Sequence, residues 1–191
     1  RAHDPGCEGP APQREEALVM VTSDFEYLAP STVAEASRLL SKYRGEARLL
    51  AGGHSLLPLM KLRLAEPKYL IDISQVKGLS GIKDERSAIA IGAATTYAEI
   101  ESSALIRRRF PMLAEAAGLV ADLQVRNRGT IGGRLAHADP AGDMPAVVLA
   151  LGAELAASTA RSTRTISVDR LNVDLLTTSL RSSEVLTTIR I

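Results

Sequence analysis

From Pro30 onward, apolar positions along the chain alternate between a helical and a strand rhythm. Val33, Ala36, Leu40 and Tyr43 recur at helical spacing behind Thr32, which with Glu35 has the form of a capping box, and Gly45 stands where that helix should stop. A short strand at 48–51 follows and runs straight into Gly52-Gly53, after which 55–62 reads as the start of a short helix. Further strands are predicted at 69–73 and 88–92, then a helix opened by Thr96, an alanine-rich helix over 112–120 and a short buried helix over 145–151. Strands at 154–158, 163–167 and 185–191 complete the pattern. The sum is an α+β, or mixed α/β, fold with a small N-terminal α/β lobe over 20–75 and a larger mixed-sheet lobe over 76–191. No internal repeat or low-complexity tract breaks that order.

Composition narrows the picture. With 191 residues, 46% of them hydrophobic, the chain can bury a substantial core as one globular unit or two small lobes. Its 23 Lys and Arg against 22 Asp and Glu leave no general pull toward nucleic acid or a membrane surface, so binding must come from a site. Cys7 stands alone, which excludes an internal disulfide and an iron–sulfur cluster held by this chain's own cysteines. Residues 1–19 are rich in Pro, Gly and charge and lack a signal peptide's apolar core; they are expected to be a disordered extension. With no transmembrane run either, membrane insertion is not expected and the cytoplasm is the simplest location.

The candidate chemistry lies in two glycine pairs. Gly52-Gly53 continues into His54-Ser55 after an apolar strand, and Thr130-Ile131-Gly132-Gly133-Arg134 precedes His137 and Asp139. Adjacent glycines let successive backbone N–H groups converge on an anion such as phosphate, although a plain tight turn also explains such pairs. Two of them, each followed by polar groups, point to a long ligand, and a dinucleotide fits. Neither the G-x-G-x-x-G turn nor the G-x-x-x-x-G-K-[ST] loop is present, which disfavours an ordinary NAD site or a nucleoside triphosphatase. The first pair would lie at the carboxyl end of a strand, where open α/β sheets bind ligands. Ser55 and Thr130 offer hydroxyls to phosphate, or act as local caps. His54 offers its ring or its backbone, or is a surface imidazole. His137 and Asp139 lack a third ligand and make no metal site.

The stretch 48–63, with Leu50-Ala51-Gly52-Gly53-His54-Ser55-Leu56 at its centre, closely resembles the first FAD loop of the flavoprotein subunit of molybdenum hydroxylases, the carbon monoxide dehydrogenase and xanthine dehydrogenase flavoprotein family. The stretch 124–133, continuing to Asp143-Met144-Pro145, resembles that family's second FAD loop, and the similarity runs from Phe25 to Ile191. The resemblance implies a two-lobed FAD-binding domain of the p-cresol methylhydroxylase and vanillyl-alcohol oxidase type, with FAD stretched between the lobes. Leu50, Ala51, Gly52, Gly53, His54, Ser55 and Leu56 would hold FAD together with Thr130, Ile131, Gly132, Gly133 and Arg134. Relatives usually carry Asn where Arg134 stands, so Arg134 either reaches a phosphate or points to solvent. Asp143 would accept from a ribose diol, helix capping being its other reading. Val120 and Leu186 would lie near the flavin, or are plain core residues.

No catalytic side chains are implied. The family's chemistry implies that a molybdopterin large subunit oxidises substrate, [2Fe-2S] clusters on a small subunit relay electrons, and FAD on this chain passes them to NAD, a quinone, a cytochrome or oxygen. The family's C-terminal lobe is expected to be absent. Two other readings stay open: a self-contained FAD-dependent oxidase or reductase of the same fold, and a truncated assembly module without flavin.

Overall fold

The computed structural model describes residues 21–191, and the expectation for 1–19 lies outside the described residues. The first lobe comprises β1 (Glu26–Leu28), α1 (Val33–Lys42), β2 (Ala47–Leu50), α2 (Leu56–Lys61) and β3 (Tyr69–Asp72). Thr32 caps α1 as the spacing predicts, its hydroxyl accepting from Glu35 N–H at 3.2 Å. The reciprocal half of the capping box slips by one residue, because Glu35 accepts from the N–H of Ser31 at 2.9 Å. The three strands are parallel in the order β1-β3-β2. Ala36 and Leu40 of α1 bury against Ala47, Ile71 and Ile73. A parallel sheet gathers its strand carboxyl ends on one edge, and there Leu50 delivers the chain to Gly52-Gly53.

The second lobe opens with β4 (Ile82–Asp84) and β5 (Ile89–Gly92). It continues through α3 (Tyr97–Ser102), α4 (Ala104–Arg109), α5 (Pro111–Leu119), α6 (Leu123–Arg126), α7 (Ile131–His137) and α8 (Asp143–Ala150), and closes with β6 (Glu154–Ser158), β7 (Thr163–Ser167), β8 (Asn172–Asp174), β9 (Thr177–Thr178) and β10 (Val185–Arg190). Its main sheet is antiparallel in the order β4-β5-β10-β6-β7. The last strand is therefore central, with Ile189 opposite both Ile91 and Leu155. Those three side chains form one core with Ile100, Leu113, Leu135, Met144 and Val148 from the helices. Thr96 and Glu99 make a complete capping box at α3.

Three helices were not anticipated as such. Ser103 starts α4 by capping Ile106 N–H, and Pro111 forces its end, since a residue before proline disfavours the helical region. Asp122 caps the single turn of α6. The third, α7, contains the second glycine pair.

The two lobes are keyed together. Val185 of β10 and Leu79 of the connecting segment bury in the first lobe's core. Ser37 on α1, 2% exposed, donates from its hydroxyl to Ser183 O at 2.8 Å and accepts from Ala160 N–H at 3.0 Å. Among the described residues no helix is long and apolar enough to cross a membrane.

Candidate functional site

A cleft of about 990 Å³ runs between the lobes, walled by the end of β2, residues 51–56, the first turn of α7, the start of α8 and the start of β10. Its first wall is built by backbone geometry. Gly53 sits at φ +80°, a left-handed conformation, and turns the chain off β2. Gly52 lies so close to the neighbouring segment that a Cβ there would stand 2.1 Å from the Arg128 carbonyl oxygen. The His54 ring folds back, and Nδ1–H donates to Gly52 O at 2.9 Å, bracing the loop. In this arrangement the N–H groups of Gly52, Gly53, His54, Ser55 and Leu56 have no hydrogen-bond partner among the described residues. The Ser55 hydroxyl makes no capping bond either. Successive unpartnered amides at the start of a helix present partial positive charge, and their natural complement is a diphosphate.

The second glycine pair corrects an expectation. It forms the first turn of α7, and its amides are committed within the chain. Ile131 N–H donates to Thr95 O at 3.1 Å and Gly132 N–H to Ala93 O at 2.8 Å, while Gly133 N–H donates to the Thr130 hydroxyl at 3.1 Å. Thr130 thus caps α7 through its hydroxyl oxygen, which leaves the O–H itself still able to donate. Gly132 serves close packing, since a Cβ there would come within 2.4 Å of the Ala93 Cβ. Gly132, Gly133 and Thr130 still border the cleft, whereas Ile131, fully buried, points into the larger core and does not.

Arg134 borders the cleft and does not simply point to solvent. Its guanidinium pairs with Asp139 at 3.0 Å and lies against Gly142, where a Cβ would meet Nη2 at 2.0 Å. Asp139 also accepts from Ala141 N–H at 2.9 Å; that backbone donor and the Arg134 charge hold its carboxyl below the usual range. His137 and Asp139 gain no third metal-binding partner: among the described residues no group of three His, Cys, Asp or Glu could hold a metal.

Asp143 opens α8, whose cap is Gly142, so the capping alternative for Asp143 is not realised. Its carboxylate is exposed at the cleft wall and makes no side-chain hydrogen bond or ion pair among the described residues. A free carboxylate in the first turn of a helix is electrostatically favourable and leaves its oxygens able to accept from a ligand. Leu50, Ala51 and Leu56 border the same cleft, as do Val120 at the end of α5 and Leu186 on β10; the last two also pack in the larger core.

Three contributors were missed in the sequence. Tyr97, the first residue of α3, is 4% exposed yet lines the cleft, and burial pushes its phenol up to about 12. Gly129 admits the Tyr97 ring, which would stand 2.9 Å from a Cβ at that position. Finally, Glu184 on the wall beside β10 is gripped by Arg164 of β7 through a two-pronged contact at 2.7 and 2.8 Å, and it accepts from Arg181 N–H at 2.8 Å. The Arg164 fork holds the Glu184 carboxyl below its ordinary value. The capping box gave a signal for α3 but none for the direction of Tyr97, and a pair twenty residues apart leaves no periodic trace.

A family model described as "FAD binding domain in molybdopterin dehydrogenase" matches residues 23–191. The carbon monoxide dehydrogenase medium chain of Hydrogenophaga pseudoflava is 46% identical over 172 residues, 90% of this chain and 60% of that protein. The 6-hydroxypseudooxynicotine dehydrogenase complex subunit alpha of Paenarthrobacter nicotinovorans is 40% identical over 90% of this chain and 58% of its own length. Among solved structures, carbon monoxide dehydrogenase from Hydrogenophaga pseudoflava lacking the Mo-pyranopterin moiety of its cofactor aligns with a TM-score of 0.88 at 47% identity, over 90% of this chain and 60% of that one. The chain therefore spans about 60% of the length of the relatives it matches.

Proposed function

The chain belongs to the FAD binding domains of molybdopterin dehydrogenases, and from that premise we propose that it holds FAD along the cleft between its lobes as the electron-transferring flavoprotein part of a molybdenum-dependent dehydrogenase or hydroxylase. The observation that carries this reading is the run of unpartnered N–H groups from Gly52 to Leu56, a donor set suited to the FAD diphosphate. Because those donors are backbone groups already fixed by the Gly53 turn and the His54 brace, binding requires little reorganisation. Asp143, with free acceptor oxygens, receives the hydroxyl protons of a ribose diol. Leu50, Leu56, Val120 and Leu186 supply apolar surface that excludes water from the rings. The second glycine pair shapes the wall by letting α7 approach Ala93, and Arg134 steadies the 139–142 segment from which Asp143 projects.

Bound FAD supplies two-electron redox chemistry that can be met by one-electron donors. Electrons would arrive from [2Fe-2S] clusters on a small subunit, released by substrate oxidation at a molybdopterin large subunit, and leave to NAD, a quinone, a cytochrome or oxygen. The same reading places the complex in the cytoplasm.

Titration of the purified chain with FAD, ADP and riboflavin, followed by fluorescence and calorimetry, tests the assignment. FAD and ADP are expected to bind and compete, and riboflavin, lacking the diphosphate, to bind far more weakly. Absence of FAD binding both to the chain alone and to the chain coexpressed with its partner subunits would overturn it. Rapid turnover of an organic substrate by the isolated chain would instead favour a self-contained oxidase.

A further inference from the structure

Tyr97 carries a feature that the folding of α3 leaves unexplained. Its ring belongs to the larger core, the residue is 4% exposed, and its backbone N–H donates to Gly129 O at 3.1 Å. The hydroxyl, by contrast, has no hydrogen-bond partner among the described residues and is not one of the fully enclosed polar atoms, so the small exposure Tyr97 keeps includes its hydroxyl, on a residue that lines the cleft. A hydroxyl that opens on a cleft with no partner from the protein is left to solvent or to a bound group that accepts from it. The surroundings indicate what that partner is. The Tyr97 ring lies against Gly129, and Gly129 in turn lies against Gly52, where a Cβ would stand 3.0 Å from the Gly129 Cα. One backbone thickness therefore separates Tyr97 from the loop of free amides. Arg134, also on the cleft wall, is the charged group close enough to act on the phenol.

We propose that the Tyr97 hydroxyl is a further binding donor, hydrogen-bonding to the diphosphate of the dinucleotide that the Gly52–Leu56 amides hold; the proposal rests on the FAD reading above. The phenol is protonated at neutral pH, as its ordinary pKa of 10 requires, and burial pushes it further up, so it acts as a donor. The second wall thus contributes through a side chain from α3, while the amides of its glycine pair are spent on the fold.

Tyr97→Phe removes only the oxygen. Since no bond within the described chain is lost, the ligand-free variant should melt at the wild-type temperature. Its dissociation constants for FAD and for ADP should rise about tenfold or more, the range for losing a hydrogen bond to a charged group. Riboflavin binding should be unchanged. Wild-type affinity of Tyr97→Phe for FAD, ADP and inorganic diphosphate overturns the proposal, as does a ligand-free variant melting well below wild type, which would mean that the hydroxyl serves the fold. If wild type binds ADP and diphosphate but not FAD, and Tyr97→Phe weakens both, the flavin reading fails and the Tyr97 assignment stands. If wild type binds none of the three, both fail.

Discussion

Gly52→Ala is the sharpest test of the cleft's construction. The added Cβ would stand 2.1 Å from the carbonyl oxygen of Arg128 and 2.8 Å from its carbon, against a limit of 3.0 Å that real Cβ atoms observe. The obstacle is backbone, so no rotamer change relieves it, and the loop and the 128–129 segment must separate by about 0.9 Å. Overpacking of that kind costs about 1–3 kcal/mol. An amide moved by that distance from an ideal position at about 2.9 Å no longer makes a hydrogen bond to phosphate. Losing one charge-assisted bond costs about 1.5–3 kcal/mol, or roughly 10- to 150-fold in FAD affinity. The assays are thermal unfolding of the ligand-free protein, where each kcal/mol moves Tm by roughly 2–4 °C in a domain of this size, and FAD titration. Gly118→Ala is the control, because the nearest atoms to its Cβ belong to the Glu101 side chain rather than to backbone, the nearest at 3.2 Å. Its Tm should hold or rise, as alanine is the better helix former. A Gly52→Ala protein with wild-type Tm and wild-type FAD affinity would refute the interlocked-loop account.

Two further outcomes follow from the site. Asp143→Ala should weaken FAD binding by roughly 10- to 150-fold and Asp143→Asn by less, with the ligand-free Tm falling by no more than about 4 °C in either, since the carboxylate makes no side-chain bond among the described residues and acts on the fold only through the dipole of α8; equal affinities across all three proteins in the same titration would remove Asp143 from the site. Glu184 has its carboxyl held below the ordinary 4.5 by the Arg164 fork, so it adds stability above that pH and loses it as pH falls through the depressed folded value. Denaturant unfolding between pH 6 and pH 3 should therefore show the stability gap between wild type and Glu184→Gln narrowing on acidification, and a gap independent of pH would contradict the pairing.

Much of the fold was legible because periodicity is local. The rhythm of Val33, Ala36 and Leu40 is visible in any conformation, and it becomes α1 because the same residues meet Ile71 when the sheet forms. Capping residues behaved likewise: Thr32 and Thr96 act on amides three residues away, within reach of the sequence itself. The first glycine pair could be read for the same reason, as its left-handed turn and its place after β2 are properties of neighbours in the chain. The second glycine pair could not. The Gly133 amide goes to the Thr130 hydroxyl, a local cap, but the Gly132 amide is taken by the Ala93 carbonyl, which reaches it only because the segment after β5 lies beside the start of α7. Arg134 was equally ambiguous until the chain returned through Asp139 to Gly142, leaving a slot without a Cβ for the guanidinium. Tyr97 and the Arg164–Glu184 pair belong wholly to tertiary structure. Their roles come from surfaces that meet across the cleft and the sheet, and a one-dimensional pattern carries no record of which distant groups will exclude water from one another.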